Sequence, residues 1–154
     1  MNGRRISFME NKPEIIGLDE AGLKAKIEQL FAGTVPQYYK HTLAVVDNMK
    51  MLLQDINDPE ERTILVTAAY LHDIGYAAPY GGGYAGNIPD QPFKVKVHSE
   101  AGARIARNIL QEMGTNEMII KQVEYLVSVH HRQDIDNEHL KLLLKADGAP
   151  VRNS

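Results

Sequence analysis

The chain has 154 residues, no cysteine and a formal net charge of −3. Disulfides and zinc–thiolate sites are thereby excluded, so any metal must be held by His, Asp and Glu, and no basic surface for nucleic acid is indicated. With 44% hydrophobic and 24% charged residues, the make-up is that of one globular domain long enough to bury a sizeable core. No apolar stretch approaches the ~20 residues that cross a bilayer. The N-terminus is basic at Arg4 and Arg5 but lacks the apolar core of a signal peptide. A cytoplasmic location is the expectation.

Residues 1–17 show no steady period and are read as a loose lead-in to a domain spanning 18–154. Asp19 is placed to cap a first helix through Phe31, with Leu23, Ile27 and Leu30 at helical spacing. Gly33 and Thr34 break it. Pro36 then suits the first turn of a second helix to about Gln54, whose apolar stripe is Leu43, Val46, Met49 and Leu53. His41 and Val45 lie one turn apart beside that stripe. Asp58-Pro59-Glu60-Glu61 is a strong start signal: a cap, a proline and early glutamates. The third helix, to Ile74, is apolar on most sides, the mark of a central buried element. Its last turn presents His72 and Asp73, and Gly75 is expected to cap it.

Residues 76–97 are the one long irregular stretch. Gly81, Gly83 and Gly86 formally spell G-x-G-x-x-G, but no strand precedes them and no helix follows, so the dinucleotide reading is rejected. A flap over a site and plain disorder both stay open. Tyr80 and Tyr84 either stack on a base or anchor the loop, and Lys94 and Lys96 either face the site or water. Ser99 is expected to cap a fourth helix over Glu100–Met113, burying Ala103, Ile105, Ala106, Ile109 and Leu110 and stopped by Gly114. Thr115 is expected to cap a fifth through Val129, ending in His130-His131. Asp136 is expected to cap a short sixth with Leu140, Leu143 and Leu144 inward, leading to Asp147 and ended by Pro150; His139 is assigned to its surface. Without alternating β-branched runs the fold class is all-α, a single-domain bundle of about six helices.

A carboxylate ionised at the inner end of an apolar helix costs several kcal/mol unless paired or coordinated. His72-Asp73 therefore needs partners, and His41, His98, His130-His131 and Asp147 are the candidates. Singly, each has a plain structural explanation: a core-margin histidine, a residue at a cap, a tandem pair with one ring in solvent, a turn aspartate. Jointly they lie at helix ends or on apolar faces, where facing helices of a bundle build metal sites. A nitrogen–oxygen set of this kind suits Fe, Mn, Zn, Ni or Co.

The order His41 … His72-Asp73 … Asp147 resembles the HD-domain metal-dependent phosphohydrolases, and His72-Asp73-Ile74-Gly75 is similar to the HDIG form of that family. The resemblance covers about Tyr38 to Asp147. His98-Ser99-Glu100-Ala101-Gly102-Ala103 and Val129-His130-His131 are similar to the extra motifs of branches that hold two metals. It implies an HD-like fold and one or two divalent transition metals. His41, His72, Asp73 and Asp147 would hold the first, with Asp73 bridging to a second completed by His98 and His130. His131 would be the alternative ligand or a phosphate contact, and Arg132 a further phosphate partner. His72 and Asp73 would be the catalytic pair in hydrolysis of a phosphate ester, a nucleotide or related small phosphate, by metal-activated water. The rival readings are a di-iron oxygenase of a related branch and a non-catalytic, metal-bearing nucleotide-sensing module. A homo-oligomer is compatible with all three. Arg132-Gln133-Asp134 stands where the cyclic-dinucleotide branch has a glycine-proline pattern, so cyclic di-GMP is not the expected substrate.

Overall fold

Asp58 opens the helix against which the other helices are arranged. Its carboxylate accepts from the backbone N–H of Glu60 at 3.2 Å, satisfying one of the donors left over at a helix start, and Pro59 takes the first helical position. The computed structural model describes residues 15–32, 35–80, 95–132 and 134–148. Six α-helices appear there: α1 Glu20–Ala32, α2 Pro36–Leu52, α3 Pro59–Leu71, α4 Val95–Glu112, α5 Glu117–Val129 and α6 Glu138–Gly148. A 3₁₀ segment, Ile74–Tyr80, follows α3. Among the described residues there is no strand, and the all-α bundle is as expected. The lead-in 1–14, the break at Gly33 and Thr34, the glycine-rich part of the irregular stretch with Tyr84 and Lys94, the side chains of Tyr80 and Lys96, and Pro150 lie outside what is described.

Every residue of α3 from Arg62 to Leu71 is buried, so its nearly continuous apolar run is that of a central helix. α2, α5 and α6 pack on it, α4 pairs with α5, and the 3₁₀ segment lies against α4. The one strong cation in α3, Arg62, gives its guanidinium to the carbonyls of Leu53 (2.6 Å) and Ile56 (2.8 Å), tying the end of α2 to the start of α3. Tyr70 donates to Glu20 on α1, and Lys50 of α2 reaches the same carboxylate at 2.7 Å.

Five local expectations are corrected. Ser99 does not cap α4: the helix begins at Val95, no glycine or proline interrupts 95–99, and the Ser99 hydroxyl is buried without a hydrogen bond. Thr115 does not cap α5, because it closes α4 instead. Its N–H bonds to Leu110 O, the Gly114 N–H bonds to Gln111 O, and Gly114 takes φ 76°, the two-bond left-handed ending that favours glycine. Asn116, one residue on, is the cap and accepts from the Met118 N–H at 2.7 Å. At α6 it is Asn137, not Asp136, whose side chain accepts from the Leu140 N–H.

Gly75 is the fourth. It is not among the residues with positive φ, and the chain runs through it within the 3₁₀ segment. A Cβ there would stand 1.8 Å from the His98 carbonyl oxygen and 2.9 Å from the Gly102 nitrogen. Glycine is required for close backbone approach rather than for a cap. His139, expected on the surface, is half-buried and bonded to Glu61 at 3.0 Å, joining α6 to α3.

Candidate metal centre

The end of α3 carries His72 and Asp73 into the interior, where side chains from α2, α4, α5 and α6 meet them. His72 has no solvent exposure, and Asp73, His98 and His130 are also buried. His41 of α2 and Asp147 of α6 lie on the open side, with 43% and 31% of their side chains exposed. Five elements distant in sequence thus converge on Asp73.

The two oxygens of Asp73 face different histidines. Oδ2 lies 3.2 Å from His72 Nε2 and 3.7 Å from His41 Nε2. Oδ1 lies 3.5 Å from His98 Nε2 and 3.7 Å from His130 Nε2. Asp147 joins the first side: its Oδ1 accepts from His41 Nε2 at 2.9 Å and lies 3.4 Å from His72 Nε2. Among the described residues two groups of side chains could hold a metal ion, His41–His72–Asp73 and Asp73–His98–His130, and they share Asp73.

The backbone aims two of these rings. His72 Nδ1 donates to the Ala69 carbonyl at 2.8 Å and His130 Nδ1 to the Val127 carbonyl at 2.7 Å, each three residues back. With Nδ1 committed as donor, the neutral ring has its lone pair on Nε2, which is the nitrogen turned toward Asp73.

Electrostatics reinforce the grouping. Burial opposes ionisation of Asp73, but the positive charge of His72 and the close approach of the His130, His72 and His98 rings outweigh it and hold the carboxyl far below the usual range. At Asp147, burial likewise loses to His41 and His72, and the carboxyl is held low. Burial would empty His72 of its proton, yet Asp73 and Asp147 hold its affinity well above the ordinary value. The cluster attracts positive charge.

The donor set fits a metal ion. Among the described residues His72 Nε2 and both nitrogens of His98 are buried without a hydrogen-bond partner, and an unsatisfied buried polar atom costs roughly 1–3 kcal/mol. Ligand atoms held at about 2.1 Å from a first-row ion, at octahedral or tetrahedral angles, stand roughly 3.0–3.4 Å apart. The Asp73–histidine separations, 3.2 and 3.7 Å in one group and 3.5 and 3.7 Å in the other, lie at or a few tenths of an ångström beyond that range, and all ligand atoms of each group are within 4.8 Å of one another. The site accordingly carries His/Asp groups able to bind a divalent metal.

The groups open into a cavity of about 630 Å³ lined by Gln37, Tyr38, His41, Asp73, Tyr76, His98, His130, His131, Leu144 and Asp147. His131 is on the wall, and burial followed by the charges of His130 and Arg132 lowers its proton affinity. Arg132 is not among the lining residues, and its guanidinium pairs with Asp134 at 2.6 Å. Sequence reasoning gave Gln37 and Tyr38 no place in the site, took Leu144 only as an inward-packing residue and Tyr76 only as the first residue of the irregular stretch. Tyr76 lies flat on His98, with ring centres 3.9 Å apart, and its hydroxyl is pushed up to about 12 by burial and then by Asp73. Its position three residues after Asp73 was the available signal.

Residues 38–148 match the family model described as HD domain. The chain has no match among curated proteins and none among solved structures.

Proposed function

The chain belongs to the HD domain family, whose members are mostly metal-dependent phosphohydrolases, and we propose that it hydrolyses a phosphate ester of a nucleotide or related small metabolite. The observation that carries this reading is the split of Asp73, one oxygen toward His72 and His41 and the other toward His98 and His130. A carboxylate can serve two ions at once, whereas an imidazole nitrogen cannot. In this reading His41, His72, Asp73 and Asp147 hold one divalent ion and Asp73, His98 and His130 a second, with Fe, Mn, Zn, Ni and Co as candidates.

Bound there, the ions would supply a hydroxide nucleophile near neutral pH and offset charge on the phosphoryl oxygens. The protein's own part is positional. The Ala69 and Val127 carbonyls keep two rings turned toward Asp73, and a preset ligand geometry reduces the cost of ordering it on binding. His131 on the cavity wall is the phosphate contact in this scheme, and Arg132 a further one if it exchanges Asp134 for substrate. The cavity volume of about 630 Å³ is within the range for small-molecule sites.

Elemental analysis of the purified protein, paired with a screen of nucleotide and sugar phosphates, tests the reading. One or two equivalents of a transition metal and release of phosphate are the expected result. Two irons with oxygen consumption and no phosphate release would replace it with oxygenase chemistry, and bound metal with no turnover would replace it with a sensing role.

A further inference from the structure

Three of the rings near Asp73 are held by atoms that can be named, and the fourth is not held in the same way. His72 and His130 are pinned through Nδ1 by backbone carbonyls, and His41 bonds to Asp147. Among the described residues neither nitrogen of His98 has a hydrogen-bond partner, although the residue is only 3% exposed. Its Nε2 lies 3.5 Å from Asp73 Oδ1, a contact too long to fix the ring's rotation as the Nδ1 bonds of His72 and His130 do.

What it has instead is a face. The Tyr76 ring lies on it at 3.9 Å between centres and 21° between planes. Tyr76 is itself backed by Tyr38 at 4.3 Å and 11°, and Tyr38 by Phe31 at 6.2 Å and 29°. The stack therefore reaches from α1 across to α4. Its root is equally fixed: the Tyr76 N–H bonds to Asp73 O at 3.1 Å, and the preceding residue, Gly75, packs against the His98 backbone. One short segment thus supplies the acid, the close packing of His98's main chain and the plane of its ring.

We propose that Tyr76 is the positioning residue for His98, doing by stacking what Ala69 and Val127 do for their histidines by hydrogen bonding. A stacked neighbour fixes the ring plane but leaves both nitrogens open, so His98 keeps Nε2 toward Asp73 Oδ1 without a donor spent elsewhere. The inference rests on His98 being a ligand of the second metal position, as proposed above. It requires an aromatic ring at position 76 and does not require the hydroxyl.

The test is titration of the metal-free full-length chain with Co(II), followed by its visible absorption and by chelator competition, in wild type and in Tyr76→Phe, Tyr76→Leu and Tyr76→Met. Wild type and Tyr76→Phe should take two equivalents with similar affinity. In Tyr76→Leu and Tyr76→Met the first equivalent should bind as in wild type. The second should weaken by about 10- to 100-fold, the range seen when an outer partner of a ligating histidine is lost. Should the leucine variant not fold, the unbranched methionine variant decides. Unchanged binding of both equivalents in either aliphatic variant overturns the proposal, as does a second-equivalent loss in Tyr76→Phe as large as in Tyr76→Leu. If wild type itself binds fewer than two equivalents, the two-metal reading beneath it fails, and that result needs no substitution to be seen.

Discussion

The backbone of Gly75 approaches that of His98 so closely that a methyl group on Gly75 would stand 1.8 Å from the His98 carbonyl oxygen. The obstructing atom belongs to the main chain of a helix, which cannot rotate aside as a side chain can. Gly75→Ala should therefore push α4 away from the 3₁₀ segment, costing about 3 kcal/mol, the upper end of the usual range for overpacking. The same shift would draw His98 from Asp73. Urea midpoints and metal content should fall together; a variant as stable and as metal-rich as wild type would refute the packing argument.

Asp73 is the one side chain common to both ligand groups. Asp73→Ala should lose both metal equivalents, with phosphatase activity at background. Asp147→Ala touches only the His41–His72 side. It should weaken one equivalent by at least the ~10- to 100-fold that loss of an outer partner costs, and leave the other. Inductively coupled plasma measurements on the two variants separate these outcomes, and full metal content with normal activity in Asp73→Ala would end the mechanism.

Around the cavity, His131 and Arg132 should differ. His131 lines the wall, whereas Arg132 is already paired with Asp134. Loss of one hydrogen bond to a charged phosphate, about 1.5–3 kcal/mol, corresponds to an increase in KM of roughly 10- to 150-fold for His131→Ala with metal content unchanged. Arg132→Ala should shift KM less. Equal effects would mean that Arg132 leaves Asp134 to meet substrate.

Outside the metal groups, the Glu20–Lys50–Tyr70 cluster gives a pH dependence of stability. Burial works against Glu20, but Lys50 and Tyr70 outweigh it and lower its value below 4.5. A depressed acid contributes stability that is present above its unfolded value and lost as pH falls through the folded one. Tyr70 is raised above 10.0 by burial and then by Glu20, so its contribution is present below pH 10 and lost only on going well above it. Urea midpoints should be flat between about pH 6 and 9 on account of this cluster and fall below about pH 4.5. Glu20→Gln should reduce the acid fall; an unchanged acid slope would show that the cluster does not contribute.

Capping assignments can be checked separately. Asn116→Ala should cost about 1 kcal/mol, the usual value of a lost cap. Thr115→Ala removes a buried hydroxyl that has no hydrogen bond and should be close to neutral in the same urea titration.

The helices were legible because each carried its own punctuation: Asp58-Pro59 before α3, Gly114 after α4, and apolar residues at three- and four-residue spacing between. The convergence of His41, His72, Asp73, His98, His130 and Asp147 was anticipated from residue type and resemblance, and the distances above bring those side chains within reach of one another. Errors arose where two roles competed for one residue. Thr115 was an eligible cap for α5 until the closing bonds of α4 claimed it. Ser99 had the chemistry of a cap but sat inside a helix that started at Val95. Gly75 was read as a helix cap because its true constraint, the main chain of residue 98, is long-range. The same holds for Tyr76, whose partner is set by how two segments cross and not by any local spacing.

Ala69 and Val127 serve their histidines through carbonyl oxygens, which every amino acid possesses. Replacement of either by another side chain of tolerable size would leave the imidazole tautomers as they are. The protein has thus placed two of its most exacting settings where point mutation cannot reach them directly, while the plane of His98, entrusted to an aromatic side chain, is open to loss in a single codon change.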